Sequence, residues 1–148
     1  MFKVILIADD DDLVRGAMLR IVRGKINSLP VKARANIRST IVVNGVPEGI
    51  AEVRKLLAQS PGVDFRVALF TDGKMPDDDR AVMRYGDELI GELQELIGRQ
   101  RMPVTVMMAG DPERRDKATA LGAHFIAKPF DAESIYTFLV PFLEMEFS

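Results

Sequence analysis

Short apolar segments alternate with amphipathic, helix-like segments five times along this sequence. The apolar segments are residues 3–8, 39–43, 65–71, 103–108 and 124–127. Between them, apolar residues recur at the three- and four-residue spacing of a helix that buries one face. Regular strand–helix alternation predicts an α/β fold, a doubly wound, five-stranded parallel sheet covered by five helices. With 148 residues, we expect a single domain over 1–148.

Breakers and polar segments predict where the helices end. The first helix is expected to fade near Gly24, because the residues that follow predict a loop over 25–36. A second, polar loop is expected over 72–84. Pro141 is expected to kink or end the last helix, because proline lacks the backbone N–H that a helix needs.

Composition excludes several kinds of site and partner. The absence of cysteine excludes disulfides, thiolate metal sites and cysteine catalysis, and the single His124 excludes a two-histidine metal site. A net charge of -2 gives no electrostatic reason to expect nucleic acid or an anionic membrane as partner. The first apolar run is too short for a signal peptide or a membrane span, so we expect a cytoplasmic protein.

Acidic residues and one lysine follow three of the five predicted strands. Asp9 and Asp10 begin a run of four aspartates after the first strand. Asp72 follows the third strand, and Lys128 follows the fifth. Taken alone, each has an ordinary role at a helix N-terminus, in a turn or at the surface. Because the carboxyl ends of parallel strands meet at one edge of the sheet, the joint pattern favours a shared site.

Gathered carboxylates need a counter-charge. Two of them about 6 Å apart repel by about 3 kcal/mol at an effective dielectric constant of about 20. Mg²⁺, which binds one or two carboxylates together with carbonyls and waters, is the usual answer. A carboxylate beside such a cation is able to act as a nucleophile toward a phosphoryl group, with a lysine supplying further positive charge.

Four motifs carry a resemblance to a known family. They are the apolar strand with three acids over 5–11, Thr-Asp-Gly-Lys-Met-Pro over 71–76, the apolar strand over 103–109, and the segment ending Lys-Pro-Phe over 121–130. In this order they resemble the receiver domains of two-component response regulators, which have a flavodoxin-like topology. The resemblance covers nearly the whole chain.

The resemblance implies a role for each charged residue at the strand ends. Asp72 matches the phosphoacceptor, which takes a phosphoryl group from a phosphohistidine on a histidine kinase or a histidine phosphotransfer protein. Asp9 and Asp10 match the acid pair that holds Mg²⁺, with Asp10 binding directly and Asp9 through water. The main-chain carbonyl of Lys74 matches a further metal ligand. Lys128 matches the lysine that contacts the phosphoryl group.

The resemblance also implies a switch position and a partner surface. Phe125 matches the aromatic switch position on the fifth strand, and the peptide bond between Lys128 and Pro129 is expected to be cis. A downstream protein partner is expected on the face of the fourth helix, fifth strand and fifth helix, at about 111–142. The apolar segment after Pro141 is expected to pack on a neighbour, with a second copy of the chain as one candidate. Because no effector segment follows, we expect either a single-domain regulator or one domain of a longer protein.

One departure from the family pattern falls at the end of the fourth strand. Met108 stands where the family has Thr or Ser, whose hydroxyl donates a hydrogen bond to the phosphoryl group. A thioether has no proton to donate. Two interpretations stay open: Met108 weakens the usual readout of phosphorylation, or it is a packing residue in a working receiver.

Two connections, 25–36 and 77–85, are longer than the family usually has. The second carries charges beside Asp72, and three interpretations stay open: it covers the site, selects the phosphodonor, or is a solvated insertion. Lys74 is also unusual for the family. Its ammonium is expected to reach the phosphoryl group or to pair with Asp9, which would slow hydrolysis of the phosphoryl group.

Three functions fit these residues. The first is a phosphorylation-dependent signalling receiver, a switch and not a metabolic enzyme. The second is a phosphorylation-independent binding module with the receiver fold, favoured by Met108 and opposed by the complete set of charged site residues. The third is a haloacid-dehalogenase-like phosphohydrolase, because Asp9 to Asp11 also fit an Asp-x-Asp nucleophile motif. Leu13 and the short chain count against the third function.

Overall fold

The computed structural model of the protein describes residues 1–59, 61–77 and 82–146. Seven strands lie in these ranges: β1 Phe2–Ala8, β2 Ile37–Val43, β3 Phe65–Asp72, β4 Lys74–Pro76, β5 Met83–Tyr85, β6 Val104–Ala109 and β7 His124–Ala127. Six α-helices lie in the same ranges: α1 Asp12–Asn27, α2 Val31–Arg34, α3 Val46–Gln59, α4 Gly86–Ile97, α5 Pro112–Ala120 and α6 Ala132–Glu144. A 3-10 turn, Arg99–Arg101, leads into β6.

Five of the strands form one parallel sheet in the order β2-β1-β3-β6-β7. The predicted doubly wound, flavodoxin-like sheet is therefore confirmed. The strand order reverses between β1 and β3, which pair so that Ala8 lies opposite Thr71. The residues that follow these two strands emerge side by side at the carboxyl edge of the sheet, where sites of such folds gather.

Each face of the sheet carries one apolar cluster. β1 is buried along its whole length, as expected for a strand covered by helices on both faces. Val4 and Leu6 pack on one face with residues of α3 and α4. Ile5 and Ile7 pack on the other face with residues of α1 and α6. The two clusters fix the helices that surround the carboxyl edge.

The loop predicted over 25–36 is partly helical, which corrects that prediction. α1 continues past Gly24 and ends at Asn27, and α2 follows. The N–H of Ser28 donates to the carbonyl of Gly24 at 3.2 Å and closes the last turn of α1. Ile26 packs against an apolar cluster, and this tertiary contact outweighs the weak helix propensity of glycine. The described residues therefore contain six helices, where five were predicted.

The polar loop predicted over 72–84 is also corrected, because it contains a short antiparallel hairpin. β4 pairs with β5 so that Lys74 lies opposite Tyr85. Met75 anchors the hairpin, because its side chain is fully buried in the apolar cluster that α4 also joins. Residues 78–81 of the predicted insertion lie outside the described residues.

Pro141 does not end the last helix. α6 continues to Glu144, because Phe142 and Leu143 after the proline are buried in the core. Their burial holds the last turn in place although proline removes one helical hydrogen bond. In the part of the chain that the structure describes, no helix is both long and apolar enough to cross a membrane.

We expect Gly86→Ala to destabilise the fold, because a Cβ on Gly86 would lie 2.3 Å from the carbonyl oxygen of Asp72. The backbone would have to move, and overpacking of this kind costs about 1–3 kcal/mol. Gly91→Ala on the same helix is the matched control, since a Cβ there meets nothing within 4 Å. Replacing that helical glycine should stabilise by up to about 1 kcal/mol. Urea unfolding measures both changes, and equal stabilities of the two variants would contradict the close approach.

Candidate functional site

Three carboxylates meet at the carboxyl edge of the sheet. Asp9 and Asp10 follow β1, and Asp72 is the last residue of the neighbouring strand β3. One carboxylate oxygen of each lies within 4.8 Å of the other two. Asp9 is fully buried and Asp72 is 9% exposed, so two of these groups are largely removed from water. The structure thus brings together the acids that the sequence analysis singled out.

Lys128 reaches the same point from the far edge of the sheet. It follows β7, and its N–H donates to the carbonyl of Ala109 at 3.0 Å. Its ammonium nitrogen lies 3.1 Å from Oδ2 of Asp9 and 3.0 Å from Oδ1 of Asp72. The peptide bond from Lys128 to Pro129 is cis, as the family resemblance implies.

Further hydrogen bonds hold Asp72 and Asp9 in place. Oδ1 of Asp72 accepts the N–H of Gly73 at 2.7 Å. Oδ1 of Asp9 accepts the N–H of Asp11 at 2.9 Å. The guanidinium of Arg15 donates to the main-chain carbonyl of Asp9 at 2.7 Å. The sequence analysis missed Arg15, whose position one turn into α1 is the only signal that placed it near the acids.

The pKa values of Asp72 and Lys128 show that the negative charges of the site are only partly balanced. Burial, the nearby charge of Asp9 and a hydrogen bond with Asp10 raise the pKa of Asp72 to about 6, against the opposing effect of Lys128. Burial lowers the pKa of Lys128, but the carboxylates of Asp72 and Asp9 outweigh this effect and raise it overall. One ammonium therefore faces three acidic groups, and the site retains surplus negative charge when all of them are ionised.

This donor set fits a magnesium ion. The three groups offer only carboxylate oxygens, which are the ligands that a small divalent cation prefers. The raised pKa of Asp72 reflects burial of its charge and repulsion by Asp9, and a bound cation would stabilise the ionised form against both effects. The carbonyl of Lys74, which the family resemblance adds to the ligand set, stays a prediction.

The side chain of Lys74 has a different partner from either one expected. Its ammonium lies 3.2 Å from Oδ2 of Asp111, and the side chain is 49% exposed. Asp111 is the N-cap residue of α5, where its Oδ1 accepts the N–H of Glu113. The expected pairing of Lys74 with Asp9 is therefore corrected. Asp9 pairs with Lys128 instead, through Oδ2.

Met108 and Phe125, the two expected switch positions, differ in burial. Met108 lies opposite Asp72 in the β3–β6 pairing, and its side chain is fully buried in the apolar cluster on the α1 and α6 face. Its carbonyl accepts the N–H of Gly73 at 3.0 Å. Phe125 is half-buried, and the guanidinium carbon of Arg115 lies 5.0 Å from its ring centroid. Met108 thus supports the segment after Asp72 through its main chain.

A buried arginine near the site was missed entirely by the sequence analysis. Arg114 on α5 is 7% exposed. Its Nη1 lies 2.8 Å from Oδ1 of Asp87, and its guanidinium carbon lies 4.4 Å from the ring centroid of Tyr85. No local pattern signals this contact, because the paired residues are 27 positions apart and the hairpin decides their approach.

Solved structures of receiver domains share this fold. A CheY-like response regulator receiver domain protein from Methanospirillum hungatei JF-1 has a TM-score of 0.67 and 21% identity, covering 97% of this chain and 95% of that chain. A two component response regulator from Cytophaga hutchinsonii has a TM-score of 0.66 and 18% identity, covering 96% of both chains. Chemotaxis response regulator CheY4 of Vibrio cholerae has a TM-score of 0.63 and 18% identity, covering 95% of this chain and 98% of that chain.

No family model and no curated protein matches the sequence. The structural likeness extends over nearly the whole chain in each of the three cases. The resemblance to receiver domains is therefore confirmed at the level of the fold.

We expect Asp72→Asn to stabilise the metal-free protein at neutral pH. Folding raises the pKa of Asp72 from its usual 3.8 to about 6. The ionised carboxylate therefore lowers the free energy of unfolding as the pH rises from about 4 to about 6, and the loss of stability remains at higher pH. The difference between these pKa values corresponds to about 3 kcal/mol at most. We expect the variant to gain about 1–3 kcal/mol near pH 8 and nothing near pH 4, by urea unfolding in a chelating buffer.

The exposed Asp116→Asn, which makes the same charge change on α5, is the control and should leave stability unchanged at both pH values. A less stable Asp72→Asn at pH 8 would contradict the unfavourable burial of this carboxylate.

Proposed function

We propose that this chain is a phosphoacceptor signalling domain of a two-component or phosphorelay system. The observation that carries the proposal is the meeting of Asp9, Asp10, Asp72 and Lys128 at the carboxyl edge of a receiver fold. Asp72 accepts a phosphoryl group from a phosphohistidine on a histidine kinase or a histidine phosphotransfer protein. Residues 1–148 then make up one receiver domain.

In this proposal the carboxylate of Asp72 is the nucleophile. One of its oxygens forms a bond to phosphorus while the bond from phosphorus to the histidine nitrogen breaks. The leaving nitrogen keeps the bonding electron pair. The ammonium of Lys128, already 3.0 Å from Asp72, neutralises charge on the transferred group. In the metal-free protein the raised pKa of Asp72, about 6, means that this nucleophile is half ionised near pH 6 and becomes more reactive as the pH rises.

Asp9, Asp10, Asp72 and the carbonyl of Lys74 would hold Mg²⁺. When bound, the ion supplies positive charge that screens the repulsion between the acids and the incoming phosphoryl group. Lys128 and the N–H of Asp11 keep Asp9 oriented toward this position. The chemistry is a self-catalysed transfer that sets a switch, and the change is read by a protein partner on the face of α5, β7 and α6.

The burial of Met108 favours a second candidate, a binding module that does not depend on phosphorylation. The thioether has no proton to donate and its side chain is fully buried in an apolar cluster. The intact acids and Lys128 weigh against this candidate, because buried like charges are costly to keep without a use. A phosphohydrolase with Asp9 as nucleophile is the third candidate. The full burial of Asp9 leaves it less accessible than Asp72.

We expect the wild-type protein to gain the mass of one phosphoryl group when treated with phosphoramidate and Mg²⁺. Asp72→Asn should not gain it, because an amide oxygen is a poor nucleophile. Chelation of Mg²⁺ should abolish the gain in the wild type. Intact-mass spectrometry measures all three samples.

Asp116→Asn is again the matched control, because it removes one exposed carboxylate outside the site, and it should be phosphorylated like the wild type. A gain that persists in Asp72→Asn would overturn the assignment of the nucleophile. No gain in any sample, with a cognate-type phosphohistidine donor tested as well, would favour the binding module.

A further inference from the structure

Helix α5 buries few apolar side chains. Only Arg114 and Ala118 are buried among its residues, and one of these is a charged side chain. A helix with few buried apolar contacts opens or shifts at low cost. The position of α5 therefore depends on the partners of Arg114.

Apart from Glu113 on α5 itself, which lies 3.8 Å from Nη2 of Arg114, these partners lie in the segment that follows Asp72. The carboxylate of Asp87 on α4 pairs with Arg114 at 2.8 Å, and the ring of Tyr85 stacks on its guanidinium. The stem of Arg114 also packs against Gly73, the residue next to Asp72, since a Cβ built on Gly73 would lie 3.2 Å from Cγ of Arg114.

A second ion pair joins the same two regions. Lys74, two residues after Asp72, pairs with Asp111 at the N-cap of α5 at 3.2 Å. We name the two ion pairs, Arg114–Asp87 and Lys74–Asp111, together with the Tyr85 stack, the α5 clamp. The first turn of α5 is thus tied to both strands of the hairpin that follows the phosphorylation site.

We propose that the α5 clamp couples phosphorylation of Asp72 to the position of α5, in place of the hydroxyl that Met108 lacks. This inference rests on the proposed function. A phosphoryl group on Asp72 changes one of the two acceptors of the Gly73 N–H, which are Oδ1 of Asp72 at 2.7 Å and the carbonyl of Met108 at 3.0 Å. It also adds anionic oxygens that compete with Asp111 for the ammonium of Lys74. Both changes act on the segment that holds α5, and Arg114 is the positioning residue between them.

Arg114 is the central residue of the α5 clamp because it is a buried charge, which is costly to leave without partners. Its Nε is buried and has no hydrogen-bond partner among the described residues, so outside its own helix the guanidinium depends on Asp87 and Tyr85. A buried charge that loses its partner is strongly unfavourable. A small displacement of the hairpin is therefore sufficient to change which position of α5 is favoured.

Hydrogen exchange of α5, followed by mass spectrometry, tests the coupling. The samples are the wild type, Arg114→Met, Arg114→Lys and the control Lys117→Met, each with and without phosphoramidate and Mg²⁺. Lys117 is exposed on the same helix. In the wild type we expect phosphorylation to speed exchange over residues 112–120 by about five-fold or more, the lower end of typical couplings.

Arg114→Met should exchange fast in both states, so that the ratio between them falls to about one, while its phosphorylation measured by intact mass matches the wild type. Arg114→Lys should keep part of the ratio, and Lys117→Met all of it. A residue that only stabilises the fold would speed exchange in both states and leave the ratio unchanged. If Arg114→Met does not fold, Asp87→Asn breaks the same pair from α4 and gives the same comparison.

Two results would overturn the coupling and leave the proposed function standing. One is a phosphorylated wild type whose α5 exchange does not change, and the other is an Arg114→Met variant that keeps the wild-type ratio. A wild type that takes up no phosphoryl group from phosphoramidate or from a phosphohistidine donor would instead overturn the proposed function, and the coupling with it.

Discussion

The charge imbalance at the carboxyl edge of the sheet is the constraint around which this molecule is organised. The fully buried Asp9 and the nearly buried Asp72 share one ammonium, that of Lys128. Burial and mutual repulsion raise the pKa of Asp72 to about 6. The fold tolerates this cost because β1, β3 and β7 are each fixed by apolar packing on both faces of the sheet. A site that holds unneutralised carboxylates is well suited to bind a cation and accept a phosphoryl group.

The sheet and the acidic site were predictable because both are encoded locally. Each strand is a short apolar run, and Asp72 and Lys128 stand at or directly after the strand ends. In a parallel sheet those ends share one edge, so sequence order alone indicates that the charged groups meet. The cis bond before Pro129 was expected from the family resemblance in the same way.

What the sequence analysis missed depends on contacts between distant residues. In the sequence Met75 lies in a predicted polar loop, but its side chain is fully buried and anchors a hairpin there. Arg114 looks like a surface residue of a polar helix, and only the hairpin brings Asp87 and Tyr85 to it. Tertiary burial overrides local propensity in the same way where Ile26 extends α1 past Gly24.

The hairpin links the two unusual features of this chain. Met108 replaces the expected hydroxyl residue at the end of β6, opposite Asp72. The segment that follows Asp72 is joined to α5 by two ion pairs. Ordinary receivers are expected to use the hydroxyl for readout. Here the contacts of Lys74 and Arg114 offer another physical connection between the site and the helix, and it is made of charges that respond directly to an added anion.

Borohydride reduction of the phosphorylated protein tests directly whether Asp72 is the nucleophile. Reduction converts an aspartyl phosphate to homoserine, and peptide mass spectrometry then locates the converted residue. We expect homoserine at position 72 and unmodified aspartate at positions 9 to 12. Homoserine at position 9 would contradict the assignment of Asp72 and point to a phosphohydrolase that uses Asp9.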